Sequence, residues 1–239
     1  MKRATIILTA AVGLLLASAS SASAAIDCSI VRDTFNRANS ATLGSSWTQQ
    51  APTTSIEGQR ATNPNPTTGL STFNGGTGNA ACADVTVNGT GAQYVAIVLN
   101  FAGPNDNLFI KVQENTGGGA FDTVFFYHGN NGTAFAGSQA ITPFTSGRFA
   151  VSRSGDNVTV DIDTNFDGVP EQEYTRTGAN SVPNLGTGIG LGLYGHDFAD
   201  NFATSAATPT PAPVTKKKCK KKKKKHSAAS AKKKCKKKH

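Results

Sequence analysis

Short runs of β-branched and aromatic residues, each ended by Gly, Asn, Asp or Pro, recur along the chain from residue 30 to residue 204. Apolar residues spaced three and four apart, which an amphipathic helix requires, are almost absent from this region. We therefore predict ten β-strands, at 30–35, 83–88, 93–101, 107–114, 120–127, 147–153, 157–163, 171–176, 188–194 and 198–204. Short strands at this regular spacing predict an all-β antiparallel sandwich.

Four dipeptides between these runs predict chain reversals, because Gly reaches the positive φ values that tight turns need. They are Asn88-Gly89, Asn131-Gly132, Gly155-Asp156 and Asp167-Gly168.

The formal net charge of +9 averages two unlike segments. Residues 25–215 hold seven basic and fifteen acidic residues, a charge of −8, whereas residues 216–239 hold fifteen Lys and no acid. The basic balance that would suggest a polyanion-binding protein therefore belongs to the tail alone. Residues 206–215, AATPTPAPVT, predict an extended Pro/Thr linker, and the charge density of 216–239 predicts disorder.

The N-terminus has the pattern of a secretory signal peptide. Lys2 and Arg3 precede an apolar run at 4–17, and Ala22 and Ala24 fit an A-x-A cleavage site. We therefore predict a signal peptide at 1–24, a β-sandwich domain at 25–205, and a secreted or surface-associated protein. No other stretch approaches the roughly 18 apolar residues of a membrane span, so no transmembrane segment is predicted.

Export permits disulfides, and the mature chain has four cysteines, Cys28, Cys82, Cys219 and Cys235. Three pairings are possible. Position along the chain favours Cys28 with Cys82 and Cys219 with Cys235. The alternative for the tail is that its thiols stay free or cross-link between molecules.

The tail is predicted to bind anionic wall polymers or other polyanions. It lacks the Arg and aromatic side chains that read bases, so we expect no sequence-specific nucleic-acid binding. Its Cys219, His226, Cys235 and His239 miss the spacing of zinc sites. The lysines concerned are Lys216, Lys217, Lys218, Lys220, Lys221, Lys222, Lys223, Lys224, Lys225, Lys232, Lys233, Lys234, Lys236, Lys237 and Lys238.

Two stretches carry a family resemblance. DTFNRANSATLGSSWTQ (33–49) and GIGLGLYGHDFADNFAT (188–204) resemble the opening and closing segments of secreted bacterial domains with the concanavalin A-like jelly-roll fold, the LamG-like lectin and glucanase sandwich. The resemblance implies a two-sheet antiparallel jelly roll whose first and last strands lie near one another in one sheet. Phe35, Trp47 and Phe202 are then expected in the core, with Arg37 paired to an acid such as Asp200.

The stretch DIDTNFDGVPEQE (161–173) has the alternating oxygen ligands of a calcium loop. Read from Asp163 it matches D-x-N-x-D-G, but the twelfth position is Tyr174, so Glu171 or Glu173 would have to replace the usual Glu. The candidate ligands are Asp161, Asp163, Asn165, Asp167 and the carbonyl of Val169. In the alternative interpretation Val158, Val160 and Ile162 face the core, Asp161 and Asp163 face water, and 165–168 is a simple turn.

The domain's two histidines lie beside aromatic, amide and carboxylate residues of the kind that bind sugars. The candidate ligand-binding residues are Tyr127, His128, Asn130, Asn131, Tyr194, His196 and Asp197. Hydrolases of the resembling fold carry an E-x-D-x-x-E strand, which this sequence lacks, and only four Glu occur in it.

We therefore predict a monomeric, non-catalytic, lectin-like surface protein that binds an extracellular glycan. The alternatives are a structural or adhesive protein without a glycan site and, less favoured, a glucanase-type hydrolase.

Overall fold

The computed structural model describes residues 25–51, 53–130 and 132–205. The predicted signal peptide, linker and tail, with Cys219 and Cys235, lie outside these residues. Over the described ranges the chain forms fifteen strands and one 3₁₀ turn, Ala179–Ser181. The strands are β1 (Ile30–Asp33), β2 (Trp47–Ala51), β3 (Ser55–Glu57), β4 (Arg60–Thr62), β5 (Gly69–Thr77), β6 (Ala80–Thr86), β7 (Tyr94–Gly103), β8 (Asp106–Gln113), β9 (Phe121–His128), β10 (Thr133–Phe144), β11 (Ser146–Ser154), β12 (Asn157–Asp163), β13 (Gln172–Thr177), β14 (Gly188–Tyr194) and β15 (Phe198–Thr204). No helix in this part of the chain has the length and hydropathy to cross a membrane.

The strands form two antiparallel sheets. The eight-stranded sheet runs β13-β12-β11-β6-β15-β4-β3, with β1 also paired to β15, and the seven-stranded sheet runs β10-β9-β8-β7-β14-β5-β2. All ten predicted strands are present, and the predicted two-sheet antiparallel jelly-roll sandwich is confirmed. The pairing of β1 with β15 also confirms that the first and last strands are neighbours in one sheet.

The core lies between the sheets and is built by alternation along each strand. On β7 the alternate residues Val95, Ile97 and Leu99 are fully buried in it. Because successive side chains of a strand point to opposite faces, the residues between them lie on the outer face of the seven-stranded sheet.

The aromatic residues of the two sequence signatures meet in the core, as expected. The Trp47 ring centroid lies 5.7 Å from that of Phe35 and 5.0 Å from that of Phe202. The expected partner of Arg37 is wrong: its guanidinium pairs at 2.8 Å with Asp33, four residues away, and not with Asp200. Asp200 instead accepts a hydrogen bond from the backbone N–H of Asn201.

The predicted disulfide between Cys28 and Cys82 is present. It joins the N-terminal segment, residues 25–29, to β6 on the outer face of the eight-stranded sheet.

Three of the four predicted turn glycines, Gly132, Gly155 and Gly168, have positive φ. The fourth, Gly89, does not. The segment that contains it connects β6 of one sheet to β7 of the other, so it is a crossover between sheets and no hairpin turn is needed.

Candidate functional site

The outer face of the seven-stranded sheet carries a row of side chains set by strand register. Gly192 on β14 lies opposite Ala96 on β7, Ala96 opposite Lys111 on β8, and Lys111 opposite Phe125 on β9. The flanking rows contribute Tyr94, Tyr127 and Tyr194. We call Tyr94, Lys111, Phe125, Tyr127 and Tyr194 the aromatic face.

The rings of the aromatic face are arranged in two stacked pairs. Tyr94 and Tyr194 stack with centroids 5.3 Å apart and an interplanar angle of 13°, and Phe125 and Tyr127 stack at 5.6 Å. The Tyr94 hydroxyl is 2.6 Å from the Thr68 hydroxyl, and burial raises the pKa of Tyr94 to about 12. Tyr94 is therefore a neutral hydrogen-bonding group at neutral pH.

Lys111 lies between the two ring pairs. Its Nζ is 4.3 Å from the ring centroid of Tyr94, 4.9 Å from that of Phe125 and 5.0 Å from that of Tyr127. Burial lowers the pKa of Lys111 to about 8. An ammonium ion close to three ring faces is attracted by their quadrupoles, but here that attraction does not restore the solvation it has lost.

The floor of the face is closed by Phe109. Its ring packs directly over Gly192, where any Cβ would overlap it. Gln113 lies opposite Tyr94 at the end of β8, and its Oε1 is buried without a hydrogen-bond partner among the described residues. The face therefore combines aromatic rings, one cation and one unused amide acceptor.

The predicted ligand-binding residues divide between this face and its surroundings. Tyr127 and Tyr194 belong to it. His128 and Asn130 lie beyond, where β9 ends beside the start of β8, and Asn131 lies outside the described residues. His196 is exposed in the turn after β14, where its backbone N–H donates to Gln93 Oε1.

Asp197 is almost fully buried and clamps a neighbouring loop. Its Oδ1 accepts from the Asn88 N–H at 2.9 Å, and Glu114 Oε1 accepts from the Gly91 N–H of the same loop at 2.9 Å. Burial raises the pKa of Asp197 to about 7; the Asn88 hydrogen bond opposes this rise and the charge of Glu114 adds to it. Asp197 therefore stabilises, from inside the molecule, the loop that connects β6 to β7.

Lys111, Phe125 and Tyr94 were not among the binding residues predicted from the sequence. The available signal was the run NLFIKVQ, in which one Lys interrupts an otherwise apolar strand. That signal could place Lys111 on the outward side of a strand, but its neighbours depend on sheet order.

The predicted calcium loop forms the hairpin between β12 and β13. Carboxylate oxygens of Asp163, Asp167 and Glu171 lie within 4.8 Å of one another. The loop is also closed by its own hydrogen bonds, since Asp163 accepts from the Phe166 and Gly168 N–H groups and Asn165 accepts from that of Asp167. The Val169 N–H donates to Asp167 at 2.8 Å.

Asp161 lies apart from this acidic cluster. Its Oδ2 accepts from the Ile26 N–H at 2.7 Å, beneath the N-terminal segment. Burial raises the pKa of Asp161; the Ile26 hydrogen bond opposes that rise, and the charge of Glu173 adds to it. The alternative to a calcium loop was a plain strand and turn. Its prediction that Val158, Val160 and Ile162 face the core is confirmed. Its prediction that Asp161 and Asp163 face water is wrong, because they are 4% and 5% exposed.

The remaining acidic candidates lie on the other sheet. Glu173 is exposed on β13, the edge strand of the eight-stranded sheet, and Glu171 bonds to Thr164 in the hairpin loop. Neither belongs to the aromatic face.

Comparison with known proteins shows a shared fold. No protein-family model and no curated protein sequence matches the chain. Among solved structures, the Ca²⁺-bound VIP36 exoplasmic/lumenal domain is 14% identical with a TM-score of 0.50, covering 74% of this chain and 90% of its own. The carbohydrate-binding module CBM66 from Bacillus subtilis is 13% identical with a TM-score of 0.46 and coverage of 66% and 96%. The β-glucanase of Bacillus licheniformis is 10% identical with a TM-score of 0.47 and coverage of 73% and 97%. At these identities the likeness concerns the fold, a concanavalin A-like jelly roll.

Proposed function

We propose that this protein is a secreted, non-catalytic, lectin-like module that binds carbohydrate on its aromatic face. The observation that carries the proposal is the set of partly exposed rings, Phe125, Tyr127 and Tyr194, around Lys111. Sugar rings pack their C–H faces on aromatic side chains, and a few polar groups among those rings supply orientation. The fold alone does not choose among lectin, hydrolase and spacer, so the proposal depends on these side chains.

The test is a glycan array probed with the mature chain, followed by calorimetry on the best ligand. We expect Phe125→Ala and Tyr127→Ala each to weaken binding by about tenfold, since each removes a stacking surface of about 1–2 kcal/mol. Phe166→Ala removes an exposed aromatic from the hairpin of the other sheet and serves as the control, with unchanged affinity. A blank array would favour the structural or adhesive alternative.

The non-catalytic assignment is supported by the position of the acidic residues. A glycosidase needs two carboxyl groups on either side of one bond, and the aromatic face is built from rings and Lys111. We expect no hydrolysis across a polysaccharide panel. Activity that disappeared in Glu171→Gln or Glu173→Gln would establish the glucanase alternative.

Calcium is our proposed ion for the β12–β13 hairpin. The set of Asp163, Asp167 and Glu171 offers hard oxygen ligands of the kind Ca²⁺ takes, and these residues would hold it. Bound calcium would replace water around three clustered charges and fix the loop. We expect added Ca²⁺ to raise the melting temperature of chelator-treated protein, and Asp167→Asn to abolish the rise while Glu173→Gln keeps it. An unchanged melt would exclude the ion.

We further propose that residues 216–239 attach the module to anionic polymers of the cell envelope. Fifteen lysines in 24 residues supply a charge that salt screens, because each neutralised phosphate contributes about −0.9 to the salt slope in the duplex DNA case. The mature chain should be retained on acidic wall polymer at low salt, and a chain ending at Ala207 should elute. Equal retention of both would contradict the attachment.

Secretion is supported by the Cys28–Cys82 disulfide, which forms and persists in oxidising compartments. N-terminal sequencing of protein recovered from culture medium should give Ala25 as the first residue.

A further inference from the structure

Lys111 is the only lysine between residues 25 and 215, and it lies at the centre of the aromatic face. We propose that the face selects an anionic glycan, in which a carboxylate or sulfate on a sugar ring pairs with the Lys111 ammonium. This inference rests on the proposed carbohydrate binding and adds the charge of the ligand to it.

The first support is that Lys111 has no acidic partner. Among the described residues, no carboxylate oxygen lies within 4.0 Å of its Nζ, whereas Arg37 and Arg148 each pair with an aspartate at 2.8 Å. The domain contains fifteen acidic residues against seven basic ones, and none of these acids pairs with Lys111 among the described residues. Its contacts are the ring faces of Tyr94, Phe125 and Tyr127.

The second support is energetic. A half-buried ammonium loses hydration, and its three cation–π contacts recover only part of that loss. A purely structural side chain at this position would be better apolar, because the aliphatic stem alone fills the space between the rings. An anion brought by a ligand supplies the missing counter-charge where Lys111 has already lost part of its hydration.

The third support is the arrangement of the polar groups. Gln113, 8% exposed, keeps a buried Oε1 without a partner in the row that contains Tyr94. A sugar hydroxyl is a donor that could satisfy it, while the anionic group meets Lys111 two residues away on the same side of β8. The stacked rings on either side then provide surfaces for the sugar rings themselves.

The net charge of the domain makes this a selective site. A charge of −8 over residues 25–215 repels polyanions in general, so the sandwich does not attract them without a local positive group. Lys111 is that group on this face. The tail attracts polyanions independently, and any test must hold its contribution constant.

The experiment is calorimetry on the full mature chain, with the tail present in every variant, at about 0.3 M salt to screen the tail. The probes are galacturonic acid trimer, a sulfated galactose trimer and neutral galactose trimer. We compare wild type with Lys111→Met, which keeps the stem and removes the charge, and Lys111→Arg, which keeps the charge. Arg32→Met removes one cation from exposed β1 on the other sheet and is the matched control. Melting temperatures verify that each variant is folded.

We expect wild type to prefer one of the two anionic trimers, and Lys111→Met to lose about tenfold to a hundredfold of that affinity, the worth of a charge-assisted hydrogen bond. Lys111→Arg and Arg32→Met should retain it. The anionic trimer that binds more tightly identifies the anionic group that the face selects.

Two results would overturn the inference in distinguishable ways. Equal binding of neutral and anionic trimers, or an unchanged affinity in Lys111→Met, removes the charge selectivity but leaves carbohydrate binding in place. Failure of all three trimers together with a blank glycan array removes the proposed function and this inference with it.

Discussion

The Asp33 carboxylate receives four hydrogen bonds, from the Phe35 N–H, two guanidinium nitrogens of Arg37 and the Trp47 indole N–H, at 2.7–2.9 Å. Burial alone would raise the pKa of Asp33, but the hydrogen bonds from Arg37, Trp47 and Phe35 outweigh it and lower the pKa. We expect Asp33→Asn to destabilise the domain by about 2 kcal/mol at pH 7, because an amide cannot accept from all these donors.

The pH dependence of this loss of stability tests whether the charge of Asp33 causes it. A carboxyl whose folded pKa is lowered stabilises the fold above its unfolded pKa, near 3.9, and that stability is lost as pH falls further. Urea unfolding should therefore show a difference between wild type and Asp33→Asn that is constant above about pH 5 and shrinks toward pH 2. A difference independent of pH would mean that packing, and not the charge of Asp33, is responsible.

Asp197 should behave in the opposite way. Its folded pKa is raised to about 7, chiefly by burial, so the unfolded chain ionises first as pH rises from about 4 to 7 and the fold loses stability over that window. Asp197→Asn keeps an oxygen for the Asn88 N–H and cannot ionise. We expect the variant to melt at a higher temperature than wild type at pH 8 and at the same temperature near pH 4.

Calorimetric melts of wild type and Asp197→Asn at pH 4, at pH 8 and at one pH between them measure this difference in melting temperature. A variant less stable than wild type at pH 8 would show that the Asp197 charge has a compensating partner in the folded protein.

At the scale of single elements, β14 illustrates how a glycine shapes the site. Gly192→Ala would place a Cβ against the Phe109 ring, which must then move outward. We expect a loss of about 1–3 kcal/mol in stability, as for other overpacked positions, together with weaker glycan binding because Phe109 is displaced toward the aromatic face. Gly137→Ala in β10 of the same sheet meets nothing within 4 Å and is the control. Unchanged glycan affinity in Gly192→Ala would show that the position of Phe109 does not matter for glycan binding.

The five strands that the sequence did not predict, β2, β3, β4, β5 and β10, carry little apolar alternation, for different reasons. β3 and β4 have three residues each, too few to show alternation. β2 and β10 are the two edge strands of the seven-stranded sheet, and most of their side chains are exposed or half-buried. Few side chains of an edge strand are buried, so its sequence shows little apolar alternation. β5, GLSTFNGGT, buries small residues against neighbouring strands, and small residues do not indicate a strand.

The same limit applies to the site. Tyr127 and Tyr194 were predicted as ligand-binding residues from their local neighbours, whereas Lys111 and Phe125 become their neighbours only through the order β9-β8-β7-β14. Alternation along one strand indicates which side a residue faces, but register between strands decides which residues meet there. The calcium loop, by contrast, was located from sequence because its residues are contiguous.

The N-terminal segment, residues 25–29, is attached to the eight-stranded sheet by the Cys28–Cys82 disulfide and by a hydrogen bond from Ile26 to Asp161. The Cys28–Cys82 disulfide spans 54 residues, and Ile26 donates to Asp161 beside it. Closing a loop of this length in the unfolded chain corresponds to about 4 kcal/mol of stability. We expect the double variant Cys28→Ser, Cys82→Ala to lose about 3–4 kcal/mol, measured by urea unfolding.

The variant is used in place of a reductant, because a reductant would also break the Cys219–Cys235 disulfide that the sequence predicts. Release of the segment should uncover Asp161, which lines a cavity of about 460 Å³ beneath it, so its pKa should return toward that of a solvated carboxyl. Nuclear magnetic resonance titration of the Asp161 carboxyl in both proteins measures this directly. An unchanged Asp161 titration together with an unchanged unfolding midpoint would show that β1, paired with β15, holds the segment without the disulfide.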